Sequence, residues 1–291
     1  MKDLRALKYF LGIEVTRRTD GIFLNQKKYA LDILQETGLL NYQPEKFPME
    51  QQHSLGRVNS PLLAEPARYR RLVGRLIYLL ATRPDLTYSV HILSQFMQLP
   101  THAHWDAALR VVRYLQGSPG QGILLSSDND LQLTGWCDAD WAGCPVNRRS
   151  LTGWFVSLGN SPLSWRSKKQ NVVSMSSAEA EYHSMSLTLR ELKWLKGLLE
   201  DLGVQQAQPI DLHCDSQAAI HIAANPVFHE RTKHVELDFH NVRDAAKARL
   251  IRLHFVRSAS QLADVFTKAL GRRDFEGLIG KLGLHDPQSP T

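Results

Sequence analysis

Cysteine is scarce in this sequence. Cys137, Cys144 and Cys214 make three, an odd number with no Cys-x-x-Cys pair. That excludes a disulfide-stapled scaffold and a cysteine-based zinc ribbon, and it predicts reduced thiols in an intracellular protein, cytoplasmic or nuclear. Cys137 and Cys214 read as small buried strand residues, each one place before an aspartate. Long apolar runs are also missing, since no stretch approaches the roughly 20 residues of a membrane span. Met1-Lys2-Asp3-Leu4-Arg5 has no apolar segment behind it, so no signal peptide is expected. His102, His104, His229, His234 and His240 lack the cysteine spacing of a zinc site and read as surface or packing residues. Neither sign of charge dominates. A net charge of +6 suits a polyanionic partner without requiring one. What remains is ordinary globular material, 291 residues and 43% hydrophobic, enough for one large or two ordinary domains.

The informative feature is a series of acids at element ends. Leu131, Leu133, Gly135 and Cys137 alternate with polar or exposed-type residues, the period of a strand with one buried face. That strand ends on Asp138 and Asp140 and breaks at Gly143, Pro145 and Asn147. Alone, such an Asp-x-Asp either caps the turn or holds a metal ion. Strands are predicted next over 151–158 and 162–167, as an antiparallel meander. Ser176 then opens a helix to about Leu202, with Ala178, Tyr182, Met185, Leu189, Leu192, Leu195 and Leu199 on one stripe. Glu179 and Glu181 flank that stripe in the first turn. Either could reach a strand end, and both also suit the helix dipole. A fourth strand, 210–215, again ends on an acid, Asp215. Helices over 216–224 and 235–248, the latter with Leu237 and Val242 inward, and a fifth strand over 250–256 follow. A last helix opens at 261–268 with Asp264 in its first turn. The order is that of a mixed α/β sheet, in which strand ends and helix starts meet at a common site. Carboxylates gathered there cannot all stay ionised without cations. Their oxygens suit magnesium or manganese, and two such ions clamp the attacking and leaving oxygens of a phosphodiester.

The first half carries no such pattern. A strand over 7–15, a turn at Asp20-Gly21 and a return strand over 22–24 are expected, then a helix on Tyr29, Ile33 and Leu34 that stops before Gly38. Pro44, Pro48, Pro61 and Pro66 make 41–66 a linker or extended wrap. Helix is expected over 67–98, broken at Arg83-Pro84-Asp85, and again over 104–116. Arg70, Arg71, Arg75, Arg110 and Arg113 read either as solvated helix faces or as phosphate contacts.

Six motifs in the second half resemble the ribonuclease H domain of Ty1/copia-type retrotransposon polyproteins. They are Asp138-Ala139-Asp140-Trp141-Ala142-Gly143, Ser164-Trp165-Arg166-Ser167-Lys168-Lys169-Gln170, Ser177-Ala178-Glu179-Ala180-Glu181-Tyr182, Cys214-Asp215-Ser216-Gln217-Ala218-Ala219, Arg231-Thr232-Lys233-His234 and Ala263-Asp264-Val265-Phe266-Thr267-Lys268. The first half is similar to the same polyprotein. Leu7–Val15 resembles the end of the reverse transcriptase palm and the next helix its thumb. Tyr69-Arg70-Arg71-Leu72-Val73-Gly74 and His104-Trp105-Asp106-Ala107-Ala108 resemble the connecting region. The resemblance implies a partial palm, thumb and connection over 1–125, a ribonuclease H-like domain with a five-stranded mixed sheet and flanking helices over 126–280, and a tail over 281–291. It implies hydrolysis of the RNA strand of an RNA–DNA hybrid with two Mg2+ ions, Mn2+ being a substitute, and with no membrane partner. Asp138 would bridge both ions, Glu181 rather than Glu179 and Asp215 would complete one metal site, and Asp264 the other. Arg166, Lys168 and Lys169 are candidate phosphate contacts.

The Tyr-x-Asp-Asp motif of a reverse transcriptase is missing, so DNA polymerisation is not expected, and Met1 reads as an internal methionine of a longer polyprotein. A half-palm would leave a sheet edge unpaired. The segment 257–260 lacks the histidine loop of many cellular enzymes of this fold. The alternative reading is a catalytically idle remnant that binds nucleic acid.

Overall fold

A computed structural model describes residues 7–207, 209–224 and 233–286, without the side chains of 233–239. The chain forms two compact units, one of Met1–Asp128 with Ala269–Thr291 and one of Asn129–Lys268.

The first unit begins with β1 (Tyr9–Phe10), β2 (Ile13–Arg18) and β3 (Gly21–Asn25), then α1 (Lys27–Thr37), α2 (Pro66–Leu79), α3 (Thr87–Ser94), α4 (His102–Gly117) and β4 (Gly122–Ser126). The strand expected over 7–15 is interrupted, because Leu11 (φ 48°) and Gly12 (φ 77°) turn the chain back so that Phe10 pairs with Ile13. The resulting β1 is a sheet edge on which Tyr9 and Phe10 are more than half exposed. The predicted helical break at Arg83-Pro84-Asp85 is a single 3-10 turn, Pro84–Leu86, between α2 and α3. There Arg83 and Asp85, both 1% exposed, form an ion pair at 2.7 Å, and Tyr114 adds its hydroxyl to Asp85 at 2.8 Å. Removing one partner of such a pair strands a buried charge, so the pair fixes the corner between helices.

The second unit runs β5 (Leu133–Asp140), β6 (Leu151–Leu158), β7 (Ser161–Lys169), α5 (Ser177–Asp201), β8 (Ile210–Cys214), α6 (Gln217–Ala224), α7 (Lys233–Lys247) and β9 (Ile251–Phe255). Its sheet has the order β7-β6-β5-β8-β9. The β5–β6 and β6–β7 pairs are antiparallel, whereas β5–β8 and β8–β9 are parallel. This is the mixed five-stranded sheet of a ribonuclease H-like fold. The stripe on α5 does what its spacing predicts: Tyr182, Met185, Leu189, Leu192, Leu195 and Leu199 share one core with Leu133, Cys137, Trp154, Val156, Ile210, Leu212 and Val242. Burying each such large side chain contributes about 1.5–3 kcal/mol. Leu237 of α7, the Arg231–His234 motif, and His229 fall outside the described side chains.

The last helix expected at 261–268 is instead a 3-10 turn, Leu262–Phe266. All five of its residues are buried, so it has no solvent face and inserts against the sheet rather than lying across it. Gly153 makes this approach possible. A Cβ there would lie 2.7 Å from Thr267 Cγ2, 2.8 Å from Phe266 Cβ and 3.0 Å from the Ala263 carbonyl oxygen. From Ala269 the chain belongs to the first unit, through α8 (Arg272–Ile279) and β10 (Leu284–His285), which pairs with β4. The second unit therefore closes at Lys268, not at the expected 280, because the strand that follows completes the other sheet. Among the described residues no helix is long and apolar enough to cross a membrane.

Candidate active site

Asp138 sits on β5 opposite Gly153 of β6, and its side chain leaves the sheet on the face away from α5. It is 1% exposed. The backbone around it is pinned on both sides: Ser184 Oγ of α5 donates to the Asp138 carbonyl (2.9 Å) and Gln261 Nε2 to the Cys137 carbonyl (3.0 Å). Its carboxylate accepts the Thr267 hydroxyl at Oδ2 and faces the Lys268 ammonium at Oδ1 (3.4 Å). Lys268 also donates to Asp264 Oδ1 (2.9 Å), four residues back on the same turn. Gly153 thus carries Asp264 to Asp138 by admitting the turn.

Oxygens of Asp138, Asp215 and Asp264 lie within 4.8 Å of one another. A second group within the same limit joins Glu181, the Cys214 sulfur and Asp215. The four predicted acids thus fall into two groups that share Asp215. Glu181 reaches the strands from α5, accepting Ala139 N–H at 3.1 Å, with Cys214 Sγ 3.7 Å away. Glu179 turns elsewhere. It accepts Met175 N–H at 2.8 Å, and its own N–H bonds the Ser176 hydroxyl at 3.2 Å, a reciprocal helix cap. The two glutamates that the sequence leaves in competition are separated by these contacts. Asp140 lies against Gly143, where a Cβ would come 1.9 Å from its Oδ2, and so packs the turn after β5.

Crowded, buried carboxylates hold their protons. Burial first, then Asp138, push the Glu181 carboxyl up to about 11. The same causes push Asp264 up to about 7. Burial also raises Asp138, against the pull of Lys268 and Thr267. Burial works against the Lys268 ammonium, yet Asp138 and Asp264 raise its pKa above the ordinary lysine value. Such a set demands positive charge. Hard carboxylate oxygens suit Mg2+ or Mn2+, so the donor chemistry fits those ions, with Asp138, Asp215, Asp264 and Glu181 as the residues that would hold them. Cys214 adds one softer donor to the Glu181 side.

Three participants were not singled out by sequence reasoning. Thr267 and Lys268 stand in the same motif as Asp264, and the one-turn spacing of Asp264 and Lys268 was their signal. Ser258 lies in the segment noted only for lacking histidine, and its hydroxyl donates to Asp215 Oδ2 at 2.7 Å. Nothing in the sequence pointed to that bond.

The candidate phosphate contacts lie on β7, two strands from Asp138. Strand alternation puts Lys169 with Ser167, on the face of Asp138, and Arg166 and Lys168 on the α5 face. The Arg166 guanidinium lies 5.8 Å from the Trp154 ring centroid, and Lys169 Nζ bonds Cys144 Sγ at 3.0 Å. The helix arginines of the first unit have local partners. Arg75 and Arg71 pair with Glu36, Arg110 with Glu45 and Glu50, Arg113 with Glu45, and Arg70 donates to the Met97 carbonyl. All three cysteines are free and buried.

No family model matches the chain. Among solved structures it is similar to the N-terminal RNase H domain of rv2228c from Mycobacterium tuberculosis (TM-score 0.34, 13% identity, 52% of this chain and 97% of that one). It is also similar to the foamy viral protease–reverse transcriptase in complex with dsDNA (TM-score 0.48, 13% identity, 86% of this chain and 44% of that one). An uncharacterized mitochondrial protein of Arabidopsis thaliana is 41% identical over 194 residues, 67% of this chain and 80% of that protein. The Pol polyprotein from transposon RE2 of Arabidopsis thaliana is 44% identical over 284 residues, 98% of this chain. That from transposon TNT 1-94 of Nicotiana tabacum is 32% identical over 294 residues, also 98% of this chain. The chain spans about a fifth of the length of these two polyproteins, 20% and 22%. With these matches running along nearly its whole length, the chain is homologous to a stretch of the Pol polyproteins of copia-type retrotransposons.

Proposed function

We propose that the second unit is a metal-dependent ribonuclease that hydrolyses the RNA strand of an RNA–DNA hybrid, leaving 5′-phosphate and 3′-hydroxyl ends. The observation that carries this reading is the convergence of Asp138, Asp215 and Asp264 within 4.8 Å, with Glu181 joined to them through Asp215. Divalent ions held there supply Lewis-acid polarisation of the phosphodiester and a lowered pKa for attacking water. The chain's own part is to hold the oxygens rigidly. Thr267 fixes the Asp138 carboxylate, Ser258 fixes Asp215, and Ala139 N–H fixes Glu181. Burial and the neighbouring Asp138 push the Asp264 carboxyl up to about 7 in the metal-free centre, so it releases its proton readily when an ion binds. Arg166, Lys168 and Lys169 are proposed to meet the phosphates of the hybrid, Lys169 from the face that carries Asp138.

The test is cleavage of a labelled hybrid with Mg2+ or Mn2+. Asp138→Asn and Asp215→Asn are each expected to lower the rate about 100-fold or more, since each removes a charged ligand worth several kcal/mol. Wild-type protein that leaves the hybrid intact, under conditions where a cellular ribonuclease H cuts it, defeats the reading. Salt-sensitive binding that survives both substitutions, without cleavage, favours a nucleic-acid-binding remnant instead.

A further inference from the structure

We propose that Lys268 is a tethered counter-cation that competes with divalent ions for the Asp138–Asp264 pair and keeps the carboxylate centre folded when metal is scarce. The inference rests on reading these acids as a metal centre. Lys268 Nζ bonds Asp264 Oδ1 at 2.9 Å and faces Asp138 Oδ1 at 3.4 Å, so one ammonium spans acids from two different elements. Both acids are nearly buried, Asp138 at 1% and Asp264 at 7% exposure, and water screens their repulsion poorly. The lysine side chain is itself 37% exposed. A flexible four-carbon stem with an open route to solvent can withdraw its charge without moving the turn that carries Asp264.

Charge balance shows what this does. Once metal has displaced their protons, Asp138, Glu181, Asp215 and Asp264 against Lys268 leave three negative charges, more than a single divalent ion neutralises. A further ion on the Asp264 side must displace the ammonium from the same oxygens. Lys268 therefore weakens metal uptake at that side while stabilising the metal-free fold. A purely structural lysine would not have these opposite effects.

The experiment compares wild-type protein, Lys268→Met and Lys268→Arg. Mn2+ uptake is followed by calorimetric titration, and thermal midpoints are measured in chelator and in saturating Mn2+. The methionine variant is expected to bind Mn2+ about tenfold more tightly and to melt several degrees lower in chelator, with the deficit closed by Mn2+. The arginine variant, which keeps the charge, is expected to stay near wild type in both. If the methionine variant does not fold in chelator, Lys268→Gln repeats the comparison. Tight uptake by wild type that is unchanged or weakened in both neutral variants overturns the counter-cation alone, as does an equal loss of midpoint with and without Mn2+. No uptake by wild type or by either neutral variant overturns the metal centre together with this inference.

Discussion

At the scale of one residue, His104 shows how a buried titratable group carries local structure. Thr101 donates its N–H to His104 Nδ1 at 2.9 Å, and His104 Nε2 lies 3.0 Å from the Leu55 carbonyl. Nδ1 therefore accepts and Nε2–H donates, which only the neutral ring can do. The ring also stacks on Phe96 with centroids 4.0 Å apart. Burial lowers its pKa from 6.5, with the Leu55 bond opposing in part. A histidine whose folded pKa lies below its unfolded value binds fewer protons folded than unfolded, so stability rises with pH through that window. The contribution is complete above about 6.5 and is lost as pH falls through the folded value. Denaturant midpoints of the first unit are expected to fall between pH 7.5 and pH 5. His104→Asn should flatten that slope without abolishing it, because burial lowers His53 in the same unit as well. An unchanged slope in the variant would remove His104 from this role. The sequence classed His104 among packing or surface histidines, and the packing half of that reading is what the structure holds. Its bond to Leu55 joins segments far apart in sequence and has no local signal.

Elements were legible where their period was clean and illegible where it was not. β5 and β9 alternate, α5 carries an uninterrupted stripe, and β8 lies between Pro209 and Asp215, so their positions follow from the sequence. β4 gives no clear signal because its apolar run is short and adjoins a glycine-rich turn, and β10 gives none because two residues carry no period. The turn Leu262–Phe266 looks like a helix in sequence for a related reason: burial on every side erases the amphipathic pattern that separates an α-helix from a tight insertion. Candidate acids were visible as element ends, but their meeting depends on Gly153, whose role appears only once the turn packs on β6. Gly153→Ala tests this. Its methyl group would press on Thr267, Phe266 and the Ala263 carbonyl, an overpacking that costs about 1–3 kcal/mol. We expect a lower midpoint for the second unit and hybrid cleavage down about tenfold or more even at temperatures where the variant is fully folded, because Asp264 is carried away from Asp138. A variant as stable and active as wild type would show that the turn can shift without disturbing the centre.

At the scale of the whole molecule the chain is discontinuous in space. It leaves the first unit at Asp128 and re-enters it at Ala269, so the carboxylate-bearing unit is an insertion between β4 and its partner β10. A linear reading has no means to see this, since both strands are short and their pairing spans the entire second sheet. The consequence is thermodynamic. The returning segment buries Phe275 at 6%, Leu278 at 5% and Leu282 at 1% exposure, and Phe275 meets Tyr114 edge-on with centroids 5.8 Å apart. Three side chains at about 1.5–3 kcal/mol each amount to roughly 5 kcal/mol or more, comparable with the whole stability of many domains at about 5–15 kcal/mol. Ending the chain after Lys268 also removes β10 from beside β4 and leaves β4 as a new open edge. Such a truncation is expected to unfold the first unit or leave it loosely packed, while the α5 core of the second unit, which contains none of the deleted residues, stays intact. Hydrogen exchange read by mass spectrometry separates the outcomes. Protection lost in α1–α4 and kept in α5, β5 and β8 is the expected pattern. Protection lost throughout would mean that the two units unfold as one cooperative block. Protection kept throughout would mean that the returning segment adds little to the first core, against the burial of its three apolar side chains.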